Sequence, residues 1–293
     1  MEKTENFLLK NEVSNNLFWE ALRGLLLRSS QPAWFGTIMN NGQIELCGIR
    51  TSSNYLLLSC GKKSSIDHLI KYAKAKKWKL NGVSGPEKSS LFFANQWLHG
   101  QPDEEEGRRD FLIFESPGRT SRWKGKVEDK NILKIVGDKE WPRARLWALQ
   151  FAIESTPKLN GAAVVAMAKE MKKKKSLFFL LNNQMQTCGM AGFGRETPSF
   201  NVINLVFVPK ELRKQKIAQR LILELIRLSR ETKKKKCILF SDYLKVGNLY
   251  ESIGFKLINF FTYFDIISIS TLTRSFFLRC PARSIECPFK FSK

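Results

Sequence analysis

The stretch Ile203-Asn204-Leu205-Val206-Phe207-Val208-Pro209-Lys210-Glu211-Leu212-Arg213-Lys214-Gln215-Lys216-Ile217-Ala218 decides how this chain is read. An apolar run over Phe200–Val208 has strand character and stops at Pro209, which cannot continue a strand ladder. A helix is expected over Lys214–Glu231, because Ile217, Leu221, Leu225 and Leu228 recur at helical spacing, with Arg220, Glu224 and Arg227 off that stripe. The first N–H groups of a helix have no acceptor inside it, so a helix that starts just after a strand offers an anion site. Arg213, Lys214 and Lys216 add positive charge at that point.

Working outward, the neighbouring segments alternate in a regular order. Ile132–Val136 reads as a strand. Glu140–Ser155 reads as a helix with Trp141, Leu146, Leu149 and Ile153 near one face, and Leu159–Met171 reads as a second helix. Strands are expected at Ser176–Leu181, Gln186–Gly194 and Phe200–Val208, with turns at Asn182-Asn183 and at Glu196–Ser199. After the long helix come a strand (Lys236–Ser241), a short helix (Gly247–Ser252) and a strand (Phe255–Ile266). The order is therefore β-α-α-β-β-β-α-β-α-β.

The first half is also α+β. An amphipathic helix is expected over Leu17–Leu27. Strands follow at Trp34–Met39 and Ile44–Arg50, hinged at Asn40-Asn41-Gly42, and at Tyr55–Ser59. Helices at Ser64–Lys76 and Glu87–Leu98 flank a short strand at Gly82–Gly85, and Arg109–Glu115 is a further strand. The Pro-, Gly- and charge-rich segment around Ser116–Lys130 reads as a boundary. The expected organisation is 1–116, a linker at 117–130, a second domain at 131–267, and a tail at 268–293.

The chain has 293 residues and a formal net charge of +22, which attracts polyanions. Much of that charge sits in Lys172–Lys175 and Lys233–Lys236, at the ends of expected helices, where cations oppose the macrodipole; a solvated helix end accounts for both. Nucleic acid is thus possible through charge but not favoured. No apolar run reaches the ~18 residues that would suggest a membrane span, so none is expected. Of six cysteines, four lie in strand-like apolar runs; Cys280 and Cys287 in the tail have neither CxxC spacing nor a His cluster, so no metal is expected. A reducing, cytoplasmic setting follows.

The segment Val206–Ala218 resembles the acyl-CoA-binding motif of the GNAT superfamily of N-acetyltransferases: a strand ending in Val-x-Pro, then Arg/Gln-x-x-Gly-x-Gly/Ala at a helix start. Arg213 and Ala218 take its first and last positions. Downstream, Asn248-Leu249-Tyr250-Glu251-Ser252-Ile253-Gly254-Phe255 is similar to the family's closing motif. Pro32–Gly36, Arg50-Thr51 and Gly82–Pro86 resemble the degenerate N-terminal copy found in two-domain members. The implied fold is a mixed, mostly antiparallel sheet flanked by helices, the acyl-CoA N-acyltransferase fold, in two units.

The resemblance implies transfer of an acetyl group from acetyl-CoA to an amine by direct attack. The pantetheine arm and thioester carbonyl would meet backbone groups of Val206, Phe207 and Val208. The pyrophosphate would meet N–H groups of Arg213, Lys214, Gln215, Lys216, Ile217 and Ala218, with Asn248 also near the cofactor. Tyr250 would protonate the departing thiolate; its other reading is a core aromatic. Glu154, Glu196 and Asp242 are candidate bases by position, each equally readable as a surface carboxylate, and a water chain could serve instead. Lysine stands at 214 and 216 where the family favours glycine. That departure supports an alternative: a GNAT scaffold that no longer catalyses and contacts polyanions through its basic surface.

Overall fold

The structure is a computed structural model that describes residues 2–26, 34–98, 107–117, 132–155, 158–233, 235–241 and 249–266. The described residues form two compact units, 2–111 with 259–266, and 112–258.

The first unit begins with α1 (Glu2–Leu9) and α2 (Asn16–Leu26). The eight-residue α1 was not foreseen, because its charges mask a single anchor, Leu8, which is fully buried beside Phe18 and Ile49. Next come β1 (Trp34–Asn40), β2 (Gln43–Arg50) and β3 (Tyr55–Leu58), then α3 (Lys63–Ala75), β4 (Gly82–Pro86) and α4 (Glu87–Trp97). Strands β1 and β2 form the expected hairpin. Asn41 and Gly42 both have positive φ, 48° and 75°, the left-handed pair that a tight two-residue turn requires. β2 and β3 pair antiparallel and β3 and β4 parallel. Leu56, Leu58, Ile66, Leu69, Val83 and Phe93 form the core between sheet and helices.

In the second unit, β6 (Ile132–Ile135), α5 (Trp141–Glu154), α6 (Gly161–Lys173), β7 (Leu177–Leu181), β8 (Thr187–Glu196) and β9 (Phe200–Phe207) precede α7 (Ile217–Lys233) and β10 (Lys236–Ser241); α8 (Leu249–Ser252) follows. Strands β6 to β9 are antiparallel neighbours in sequence order, and β10 pairs parallel with β9. One face packs on α5 and α6 through Trp147, Phe151, Met171 and Phe207. The other packs on α7 through Leu221, Leu225, Ile203 and Leu239. Each unit therefore repeats the same theme: antiparallel strands, a helix, and one parallel strand. Both are mixed α+β with mostly antiparallel sheets flanked by helices, as the sequence indicated.

Two strands depart from the expected partition at residues 116 and 131. In β5 (Arg108–Glu115), Leu112–Glu115 pair antiparallel with Ser241–Ile238 of β10. In β11 (Lys256–Asp265), Phe261–Asp265 pair antiparallel with Pro86–Gly82 of β4. Each half of the sequence thus lends part of its last strand to the sheet of the other. A strand's residue pattern states that it pairs, not with which partner.

Helix α5 is also rotated from the expected face. Ala144, Trp147, Ala148, Phe151 and Ala152 are buried, whereas Leu146 and Ile153 are 53% and 61% exposed. The helix is apolar on both sides, and its alanines permit the closer approach. On α7, Glu224 is buried rather than solvated, paired with Arg227 at 2.9 Å.

Candidate active site

The end of β9 is irregular. Its partners run from Met190↔Phe207 to Gly192↔Asn204, two steps on β8 against three on β9. The extra residue makes a bulge, and Leu205 within it has φ 54°. A branched, fully buried side chain at positive φ is uncommon and marks a conformation imposed by its surroundings. Bulges bend the strand that carries them. The register with β10 covers Phe200–Val202 against Lys236–Ile238, before the bulge, and β9 continues beyond it to Phe207. Asn204, 1% exposed, makes no side-chain hydrogen bond at either amide atom among the described residues, and its Nδ2 occupies the space that Gly194 leaves open.

After Pro209 the chain makes one 3-10 turn, Lys210–Leu212, and reaches α7 through Lys214 and Lys216, with φ 63° and 60°. The helix therefore starts at Ile217, three residues later than expected, because two left-handed residues cannot belong to a right-handed helix. These are the two positions where the family favours glycine. The glycine-type loop conformation is kept although lysine occupies it. The first helical bond at this end runs from Arg220 N to Lys216 O at 3.0 Å, so the N–H groups just before it have no acceptor inside α7. Lys214, Gln215 and Lys216 are exposed.

Several contacts hold the loop. Arg213 Nε donates to Val208 O at 2.9 Å, its Nη2 donates to Glu154 Oε2, and its guanidinium lies 6.0 Å from the Phe207 ring. Arg213 is thus a clamp between β9, the loop and α5. Gly189 on β8 brings α7 close. A Cβ there would lie 3.3 Å from both Ile217 Cγ2 and Leu221 Cδ2. Gln219 Nε2 donates to Ser252 Oγ at 3.0 Å, tying the first turn of α7 to α8.

Tyr250 lies in α8 and is 7% exposed, with Phe114 and Phe255 at ring-centroid distances of 5.8 and 6.1 Å. It shares one buried cluster with Val208 and Ile217, so the tyrosine and the loop rest on the same apolar bed. Gly254 at φ 88° lets the chain turn back, and Phe255 N donates to Tyr250 O at 3.0 Å. Asn248 and Asp242 lie outside the described residues.

Val206–Val208 thus lead into the Arg213–Ala218 loop, Arg213 ties that loop to Glu154, and Tyr250 belongs to the same buried cluster as Val208 and Ile217. Glu196 is elsewhere. It pairs with Asn201, about 20 Å along β9 from Phe207 at roughly 3.3 Å per residue. Burial works against its charge, but hydrogen bonds from Lys233 and Lys235, both at 2.6 Å, outweigh it and hold the carboxyl at about 2. A carboxylate held so low and capped by two lysines is a poor base at neutral pH. Burial also pushes the Cys47 and Cys237 thiols up to about 12, which suits packing rather than nucleophilic attack. The Glu154–Arg213 clamp, the Leu205 bulge, Asn204 and the Gln219–Ser252 tie were not anticipated. Lysines at two glycine positions were the sequence signal closest to this strained loop.

A bulged strand thus leads through a left-handed loop to the start of α7. Residues 154–272 match a family model described as an acetyltransferase (GNAT) domain. A GNAT-family acetyltransferase from Colwellia psychrerythraea is similar over 78% of this chain and 84% of its own, with TM-score 0.51 and 11% identity. A GCN5-related N-acetyltransferase from Sphaerobacter thermophilus is similar over 77% of this chain and 78% of its own, with TM-score 0.51 and 15% identity. At these identities the likeness is one of fold. No curated protein matches the chain. Among the described residues, no helix is long and apolar enough to cross a membrane, and no group of three or more His, Cys, Asp or Glu is placed to hold a metal ion.

Proposed function

We propose that the second unit transfers an acetyl group from acetyl-CoA to an amine. The observation that supports this most is the left-handed backbone at Lys214 and Lys216, a loop shape retained at an energetic cost next to a helix start. Backbone strain of this kind persists where function constrains the chain. Phosphates of the donor would sit on the N–H groups of Lys214–Ala218, with the two lysines adding charge. Backbone groups of Val206–Val208, at and just after the bulge, would pair with the pantetheine arm and polarise the thioester carbonyl. The amine lone pair attacks the carbonyl carbon, and the tetrahedral oxyanion collapses with cleavage of the C–S bond. The attacking nitrogen releases a proton to water, the thiolate takes a proton from the Tyr250 hydroxyl, and the tyrosinate regains one from water. In this reading Arg213 and Glu154 position the loop rather than take part in the reaction.

The test is thermal stability with acetyl-CoA, comparing the wild-type protein with Lys214→Glu/Lys216→Glu. Donor at 100 times its Kd adds about 2.7 kcal/mol to the wild type, and the variant loses that gain. With an amine found by screening, Tyr250→Phe lowers kcat and leaves the stabilisation by acetyl-CoA in place; unchanged kcat rejects the role of Tyr250. Absence of stabilisation at millimolar acetyl-CoA selects the non-catalytic, polyanion-binding alternative.

A further inference from the structure

The first unit carries a feature unrelated to acyl transfer. Residues 62–79 contain Lys62, Lys63, Lys71, Lys74, Lys76, Lys77 and Lys79 against one acid, Asp67. Lys62 is paired with Glu45 at 2.7 Å, while Lys71, Lys76, Lys77 and Lys79 stand exposed. Folding adds aromatic rings to this charge. Trp34 of β1 meets Trp78 with centroids 4.9 Å apart and Tyr72 of α3 at 5.9 Å, and Tyr72 meets Trp78 at 5.7 Å.

The cluster is built rather than incidental. The Trp34 indole lies across Gly36 and Gly48, which face each other in the β1–β2 register. A Cβ on Gly36 would lie 2.2 Å from the ring, and one on Gly48 would lie 3.0 Å from it. Lys77 at φ 51° ends α3, and the Trp78 N–H donates back to Ala73 O at 2.9 Å, folding Trp78 against the helix. The Arg50 guanidinium stacks 4.7 Å from the Trp78 ring, and its Nε makes no hydrogen bond among the described residues. Tyr72 stays 42% exposed.

An exposed ring, Tyr72, backed by the partly buried Trp34 and Trp78 and set among the exposed Lys71, Lys76, Lys77 and Lys79, matches the two needs of single-stranded nucleic acid, a stacking surface for bases and charge for phosphates. A membrane-surface helix would instead present an apolar face. The apolar face of α3, with Ile66, Leu69, Ile70 and Ala73, is buried in the core. We infer that the Trp34–Tyr72–Trp78 cluster and the lysines of α3 form a binding surface for single-stranded nucleic acid.

Fluorescence anisotropy of labelled 20-nucleotide oligo-U and oligo-dT, with the full chain at several salt concentrations, tests this. Binding with Kd of about 1–100 µM at 0.15 M salt is expected. Lys71→Gln/Lys76→Gln/Lys77→Gln lowers the slope of log K against log salt by about 2, at roughly 0.7 per phosphate contact. Tyr72→Ala weakens binding about tenfold with an unchanged salt slope, and Tyr72→Phe restores it. All four positions are exposed, and melting temperatures check that each variant is folded. Equal affinity for duplex with no effect of Tyr72→Ala overturns the inference, since charge alone would then explain binding. So does binding to phosphatidylserine vesicles with none to either oligonucleotide.

Discussion

Replacing Lys216 by glycine, and separately by alanine, measures the loop's backbone directly. Lys216 sits at φ 60° immediately before α7. A residue with a Cβ in this region costs about 1–2 kcal/mol relative to its right-handed conformation. Glycine escapes that cost but loses about 0.5–1 kcal/mol through the greater freedom of its unfolded chain. Lys216→Gly is therefore expected to stabilise the protein by about 0.5–1 kcal/mol, while Lys216→Ala, still strained, brings no such gain. In ordinary right-handed backbone the order is reversed, with alanine ahead of glycine. The sign of the glycine–alanine difference thus reports the conformation without reference to side-chain contacts. Urea unfolding followed by circular dichroism gives both values, and the melting temperature should move by about 2–4 °C per kcal/mol for a chain of this size. Alanine more stable than glycine at 216 would refute the left-handed loop, and with it the main support for a phosphate cradle there.

Three further expectations concern the elements around the site. Glu196, held at about 2 against an ordinary 4.5, favours folding above about 4.5 and loses that contribution as pH falls from there towards 2; Glu196→Gln should flatten this part of the pH–stability curve. Gly189→Val forces side-chain atoms against Ile217, Leu221 and the Phe207 carbonyl. It should cost about 1–3 kcal/mol and weaken stabilisation by acetyl-CoA through displacement of the first turn of α7, seen as a smaller ligand-induced shift in melting temperature. Arg213→Gln removes the charged links to Val208 O and Glu154, should destabilise by about 1–2 kcal/mol in urea unfolding, and should reduce donor affinity by loosening the loop.

Much of the second unit was legible in the sequence because its signals are local. The apolar run over Phe200–Val208, the break at Pro209 and the stripe Ile217–Leu221–Leu225 each describe a short local segment, and the strand and helix they imply are present. The motif around Arg213 and Ala218 located the loop for the same reason. The helix start was misplaced by three residues because lysine gives no warning of positive φ, whereas glycine would have. Leu205 is a stronger case: nothing in a buried leucine announces a bulge. The buried face of α5 was misjudged because both of its faces are apolar, and only its neighbours choose between them.

What the sequence determined by itself was the order of elements from α2 onward, the α+β class and the place of the candidate loop, all set by spacing along the chain. What only the tertiary structure decided were relations between distant residues. It sends parts of β5 and β11 to sheets in the opposite half of the chain, gives Arg213 to Glu154, sets Glu196 opposite Asn201, about 20 Å along β9 from Phe207, and gathers Trp34, Tyr72 and Trp78 among lysines. Pairing, clamping and stacking depend on which surfaces meet after collapse, and side-chain periodicity carries no record of that choice.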